Sequence, residues 1–532
     1  MGSVSLVAAY AAYFVIPLLF LLSYRIFFHP LRGYPGPVLA KITNGYAGWH
    51  AICKNHHLAT YQNFQRFGPV VRQGPTQLVF NTATAFHDIY LNPKLVKGHA
   101  YHGSQLTAKY PSVINAIDKD QARRKRKVMG QALTERYLRA FEPMMSGEVD
   151  VFLRQLLVSS KTAEVVNMTP RCERLGLDII GLLSFGYRFN TQTDESHRYL
   201  QPVIDGMAWR MNTYMLWPIL KPFEKLFMLL GAKKLLRFRR LVHEMIRTRM
   251  AEEKDAHHDL YSSVADQVGK GQEGLYDGEL WPEAILFILA GGSTTAAAMS
   301  AAFFYLSRNP AAYSALAAEV RSTFKSGREI CAGAQLNGCT YLRACIDETM
   351  RMSPPATSTS WRQLNPKNAS SGDPWIVDGH VVPPGTQVGV HLYSLFHNED
   401  YFPDSYTWKP ERWLDQPASE TTQAGGEAPG GDRATKMRKA FQPFLAGERS
   451  CLGKSMAYVE ISLTLARTIW YFDFETAPGA AGGLGAGQKG RKGGRGRTGE
   501  YQLYDIFTGE HDGPNLVFRP RMEVCGELEA EV

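Results

Sequence analysis

One stretch constrains this chain more than any other: Phe444-Leu445-Ala446-Gly447-Glu448-Arg449-Ser450-Cys451-Leu452-Gly453. A single cysteine sits between two glycines, a cation lies two residues before it, and a largely apolar run follows from Met456 to Tyr471. Gly447 and Gly453 permit backbone geometry that a side chain would forbid, so the chain can close around one sulfur. Arg449 favours the thiolate form of that sulfur, the form that binds metal, and can also reach an anionic ligand. A lone thiolate with no cysteine or histidine beside it suits an iron that already has four ligands from a macrocycle. The alternative for any single cysteine is a buried structural thiol.

The other cysteines support the metal reading by exclusion. Cys53, Cys172, Cys331, Cys339, Cys345 and Cys525 are scattered, and no Cys-x-x-Cys pair occurs. An odd total of seven argues against a disulfide framework and against a zinc site, and fits a reducing compartment. The net charge of +9 is concentrated in two runs, Arg123 to Lys127 and Lys489 to Arg497, and the remainder is close to neutral. A nucleic-acid binder is therefore not the natural inference.

Val4 to Tyr24 carries no charge and is long enough to cross a bilayer. No cleavage site of a secretory signal is evident, so residues 1–27 read as an uncleaved membrane anchor, one transmembrane helix. Arg25, His29 and Arg32 follow the run and no basic residue precedes it, which places the amino terminus in the lumen and the body in the cytosol. Residues 28–40 are a proline-rich hinge, and residues 41–532 form the catalytic body.

A second uncharged stretch, Ala284 to Leu306, also has the length of a membrane span. Pro282 suits a helix first turn, Asn309-Pro310 a helix end, and Gly291-Gly292-Ser293-Thr294-Thr295 interrupts the centre. Two helical glycines cost about 1 kcal/mol each relative to alanine, a cost usually offset by something that must approach the backbone. A buried helix crossing a flat cofactor accounts for both features. Elsewhere, Val70 to Phe80 reads as strands around a Gly-Pro turn. Asp120 to Glu135 reads as a helix on which only one or two of five consecutive cations can point inward, the others forming a solvated face. Strands are expected over Trp375 to Val382 and Gln387 to Leu392, paired through Pro383-Pro384-Gly385. Residues 418–433 and 478–499 read as disordered insertions.

The cysteine stretch, with Ala457 and Glu460 beyond it, resembles position by position the haem-binding loop of the cytochrome P-450 family, Phe-x-x-Gly-x-Arg-x-Cys-x-Gly. The resemblance covers the chain after the anchor and is nearest to filamentous-fungal members, of secondary metabolism or benzoate para-hydroxylase-like. It implies a mainly α fold with small β-sheets, and haem b ligated by Cys451. Phe444, Arg449 and Gly453 would pack around the sulfur and one propionate, and Arg126 and Arg362 would bind propionates. The aromatic position usual four residues before Arg126 is Ala122, which leaves one propionate partner unidentified. Ala290-Gly291-Gly292-Ser293-Thr294 resembles the family's central-helix motif, with Thr294 placed to hold dioxygen or a water and Ser293 in place of the usual acid. Glu348, Arg351 and Arg412 correspond to a buried structural cluster. His99 to Lys119, Met207 to Leu230 and Ala356 to Ser360 would border the substrate.

The implied function is a monooxygenase of the endoplasmic reticulum membrane. It would insert one oxygen atom into an apolar small molecule, with electrons from NADPH through cytochrome P-450 reductase docked on Lys436, Arg438, Lys439 and Lys454. Cytochrome b5 is a second candidate donor, and no nucleic acid is expected. Thiolate ligation favours cleavage of the O–O bond. The alternatives are an enzyme of the same fold that does not use dioxygen (isomerase, dehydratase or peroxygenase), or a non-catalytic haem-binding membrane protein.

Overall fold

The uncharged central stretch forms one long helix, Asp277–Arg308, whose most apolar window is 78% buried within the protein, so it is a core helix. Its middle departs from α geometry: Leu280–Phe287 and Ser293–Arg308 are α-helical, and the π-helical turn Ile288–Gly292 lies between them. The glycines let a neighbouring helix approach closely. A Cβ on Gly291 would stand 2.4 Å from Ile180 Cδ1, and a Cβ on Gly176 would stand 2.7 Å from the Gly292 carbonyl oxygen. Both partners belong to the helix Met168–Phe185, which crosses the central helix at its weakest point.

The computed structural model describes residues 2–107, 109–229, 231–271, 274–366, 375–414 and 429–529. Helices dominate. Around the central helix, Glu135–Lys161, Met168–Phe185, Thr340–Met352 and Lys454–Tyr471 bury their apolar faces in one core. The sheets are small. The largest has five strands in the order Val70–Gly74, Gln77–Phe80, Gln387–Val390, Arg362–Leu364, Leu95–Lys97. The hairpin at Gly74-Pro75 follows the sequence expectation. The strand pairing downstream does not. Ile376–Val377 pairs with His380–Val381, whereas Gln387–Val390 joins the large sheet beside Gln77–Phe80, and Leu392 already begins a helix.

The helix Gly2–Ser23 continues as a π-helical turn, Tyr24–Phe28, and exposes Tyr13, Phe14, Ile16 and Phe20. The proline-rich connector is pinned to the body by Arg72, a fully buried residue of the first strand. Its guanidinium donates to the carbonyls of Arg25 at 3.0 Å, Leu31 at 3.4 Å, Lys41 at 3.4 Å and Pro75 at 2.8 Å.

Two further expectations change. Residues 418–428 lie outside the described residues, and 429–433 open the helix Pro429–Ala440. Residues 478–499, expected as a disordered insertion, are folded onto the body. Arg495 is buried and donates to the Leu503 carbonyl at 2.7 Å, and Arg497 lies 3.7 Å from the Tyr406 ring centroid. Two arginines with buried partners hold a segment whose glycine content had pointed to disorder. The basic helix, Lys119–Gly130, is likewise less solvated than its charge implied. Lys125 is fully buried against Glu283 at 2.9 Å and Glu279 at 3.1 Å, and Arg124 also binds Glu279.

Candidate functional site

The cysteine loop is built by its own backbone. Cys451 N–H donates to the Phe444 carbonyl at 2.8 Å, and the short 3-10 turn Gly447–Arg449 lies inside that closure. Gly447 has φ +73, and a Cβ there would meet the Tyr90 carbonyl oxygen at 2.2 Å, so glycine is required. Gly453 is different: its φ of −84 is open to any residue, and a Cβ would stand 3.9 Å from the Cys451 sulfur. Its smallness keeps the space beside the sulfur free.

Cys451 opens onto an internal cavity of about 310 Å³. Burial pushes its thiol pKa up, while the Gly453 N–H, Arg126 and Lys454 pull it back. Arg449, expected from the sequence to favour the thiolate, is not among these groups. Its charge belongs to another part of the cavity.

The same cavity is lined by Phe444, Arg449, Gly453, Arg126, Arg362, Ala290, Gly291 and Thr294, so nine of the sequence candidates, counting Cys451, converge on one space. Ser293 does not line it. Ser293 is buried on another side of the helix and accepts from Gln201 Nε2 at 3.4 Å. Thr294 donates to the Ala290 carbonyl at 2.7 Å, within reach of the π-helical turn. Glu348, Arg351 and Arg412 lie outside the cavity and form the expected buried cluster. Arg351 donates twice to Glu348 at 2.9 Å, Arg412 once at 3.0 Å, and Trp413 Nε1 and the Lys409 N–H complete the carboxylate at 3.0 and 2.9 Å.

The structure also brings in residues that the sequence left unmarked. Lys97 lines the cavity beside Tyr101, and the hairpin tip Phe507-Thr508 closes onto it from the carboxyl-terminal segment. Asp505 ties that tip to Thr357 at 2.9 Å. A lone lysine in a three-residue strand has no local pattern by which to find it.

The cations gather in one region. Burial, then repulsion from Arg362 and Arg126, lowers the Arg449 pKa to about 10. Burial and Arg362 also lower the Arg126 pKa, against a raising pull from Cys451. Arg449 Nη1 is buried with no hydrogen-bond partner among the described residues. Haem fits these features: a flat apolar ligand with two carboxylates would meet a thiol, a mostly apolar wall and an orphaned guanidinium N–H.

Glu460, two turns beyond the loop, is fully buried, and neither carboxyl oxygen has a partner at bonding geometry among the described residues. Burial raises its pKa to about 8, eased in part by the Thr295 hydroxyl. The folded state therefore holds a proton that the unfolded chain releases near pH 4.3, so wild-type stability falls as pH rises through this window. Glu460→Gln removes that dependence. Denaturant unfolding of the two proteins between about pH 5 and pH 8 should show the variant gaining on the order of 4 kcal/mol relative to wild type. A constant difference across that range would show that Glu460 is ionised throughout.

Comparison with known proteins converges on the same reading. The family model described as Cytochrome P450 matches residues 35–482. Cytochrome P450 monooxygenase poxM of Penicillium oxalicum is 34% identical over 521 residues, covering 96% of this chain and 94% of its own. Cytochrome P450 monooxygenase apf7 of Gibberella fujikuroi is 31% identical over 536 residues, covering 94% of this chain and 95% of its own. With the cysteine loop, the central helix and the buried Glu-Arg-Arg cluster all inside the matched span, the chain belongs to the cytochrome P450 family of haem-iron monooxygenases.

Proposed function

We propose that Cys451 would hold the haem iron as a thiolate and that the protein oxidises an apolar small molecule bound in this cavity, in the secondary metabolism of a filamentous fungus. The observation that carries this reading is that Cys451, Thr294 and the cation group line one mainly apolar cavity. Bound there, haem supplies the dioxygen chemistry, and the thiolate favours O–O cleavage. The protein positions substrate between the central helix, Tyr101, and the tip Phe507-Thr508, and keeps bulk water out. Thr294 presents a hydroxyl at the cavity wall, and Ser293, turned toward Gln201, acts through the helix and not on the reacting atoms.

One oxygen atom of dioxygen enters the substrate, the other leaves as water, and NADPH supplies the two electrons through cytochrome P450 reductase, with cytochrome b5 as a second candidate donor. Lys436, Arg438, Lys439 and Lys454 are exposed, which supports docking of an acidic reductase on them. The body is held at the endoplasmic reticulum membrane, facing the cytosol, by the single helix Gly2–Ser23. Its 22 residues give about 33 Å of length, enough for a bilayer core. Exposed Val38, Leu39, Trp49, Ile219 and Phe223 support contact of the body with the membrane surface.

Purified protein, the reductase and NADPH are expected to convert an apolar component of fungal extracts to a product heavier by one oxygen, labelled from ¹⁸O₂. Turnover with peroxide alone and none with NADPH would favour a peroxygenase. A substrate-induced spin shift without product would favour a non-catalytic haem protein.

A further inference from the structure

Phe507, at the tip that closes onto the cavity, has φ +91, a backbone conformation that an aromatic residue adopts only when its surroundings impose it. One carboxyl group imposes it. Asp505 is fully buried in the two-residue strand Tyr504–Asp505, and its Oδ1 accepts the Phe507 N–H at 3.2 Å. The same oxygen accepts from Thr357 Oγ1 at 2.9 Å and from Asn212 Nδ2 at 3.0 Å. Asn212 belongs to the helix Leu200–Leu216, and Thr357 to the segment whose Ala356 and Ser358 line the cavity. A single oxygen thus joins three segments from distant parts of the chain. The second oxygen lies 3.8 Å from His56 Nδ1. Burial pushes the Asp505 pKa up to about 6, and the bonds from Phe507, Thr357 and Asn212 hold it down, so the group is an ionised acceptor at neutral pH. Two further contacts tie the tip to the Pro355–Thr357 segment, the Gly509 N–H to the Pro355 carbonyl at 2.8 Å and Thr357 Oγ1 to the Thr508 carbonyl at 3.2 Å.

We propose that Asp505 is a specificity-determining positioning residue, which holds Phe507 against the cavity and so fixes a wall that selects among substrates by size. This rests on the reading that substrate binds in this cavity beside the haem. Asp505 does not line the cavity, so it acts through Phe507 and not on the substrate. Without the carboxylate, Phe507 relaxes toward an unstrained backbone, and its ring leaves the place it holds beside Tyr101 and Met215. The wall then loses its contacts with large ligands, while ligands too small to reach it are unaffected.

The test titrates the haem-loaded full chain with 1-alkylimidazoles from methyl to dodecyl, whose ring nitrogen gives the nitrogen-ligation shift of the Soret band. Asp505→Ala is expected to weaken binding of the dodecyl compound about tenfold and of the methyl compound by less than about twofold. Asp505→Asn keeps one carbonyl oxygen for the three donors and should stay within about threefold of wild type at every chain length. Thr357→Val removes one donor and should weaken the dodecyl compound alone by about threefold, so a folding failure of Asp505→Ala leaves a second variant to decide. In parallel, hydrogen exchange of the peptide spanning 504–509 should quicken about tenfold in Asp505→Ala while the helix Thr340–Met352 exchanges as in wild type. Losses that are equal at all chain lengths, or absent at all of them, overturn the role of Asp505. Wild type that gives no nitrogen-ligation shift with any of these imidazoles overturns instead the haem reading on which it stands.

Discussion

Cys451→Ala eliminates the thiolate-type carbon monoxide spectrum and reduces NADPH-supported turnover to background. No other cysteine lines the cavity among the described residues: Cys172, Cys339, Cys345 and Cys525 are buried elsewhere, and Cys53 and Cys331 are at the surface. No second thiolate is therefore available in the cavity. The substitution is small and leaves intact the Cys451 N–H bond to Phe444 that closes the loop, so the fold is expected to persist. Residual haem held by the cations alone would show a spectrum without thiolate character. Haem content and the carbon monoxide difference spectrum, measured together, separate loss of the ligand from loss of the protein. A thiolate-type spectrum in this variant would refute the assignment of Cys451.

Glu348→Gln lowers the stability of the holoprotein by about 3–5 kcal/mol, because it removes the one negative charge shared by two buried or nearly buried guanidiniums. Arg351 is fully buried, and its other partners are the carbonyls of Phe396 and Ser405 at 2.8 Å and of Thr407 at 3.4 Å. Those carbonyls orient the guanidinium but cannot neutralise it. Arg412→Ala should cost less, about 1.5–3 kcal/mol, since Glu348 keeps its bonds to Arg351 and the side chain of Arg412 is partly exposed. Urea midpoints of wild type and both variants at neutral pH decide this. Equal effects of the two substitutions would mean that the cluster is held by packing and not by charge.

Much of the site was legible because its residues are bound to local patterns. The Cys451 loop carries its glycine and cation within a few positions, and Glu348 and Arg351 share one helical face. Those patterns are short-range, and the fold honours them. What escaped depends on distant pairings. Lys97 reaches the cavity from a strand paired with that of Arg362, and no periodicity predicts that register. Ser293 was read by its place in a motif, yet side-chain direction past a π-helical turn is set by local winding, which sequence spacing at 100° per residue does not register. The basic helix misled for a related reason: charge implied solvent, whereas Glu279 and Glu283 of the central helix supply buried partners for Arg124 and Lys125. Composition also misjudged 478–499, where Arg495 and Arg497 fasten a glycine-rich segment to the body.

The hold of Arg72 on the connector governs where the amino-terminal helix can be cut away. Removing residues ahead of Arg25 discards the apolar helix and keeps every carbonyl that the guanidinium uses. Trimming past Leu31 takes away two of those acceptors and leaves a buried cation with donors unmet, at about 1–3 kcal/mol for each. The amino-terminal helix and the body thus overlap by several residues, and the border between them lies ahead of Pro30, the first proline of the connector.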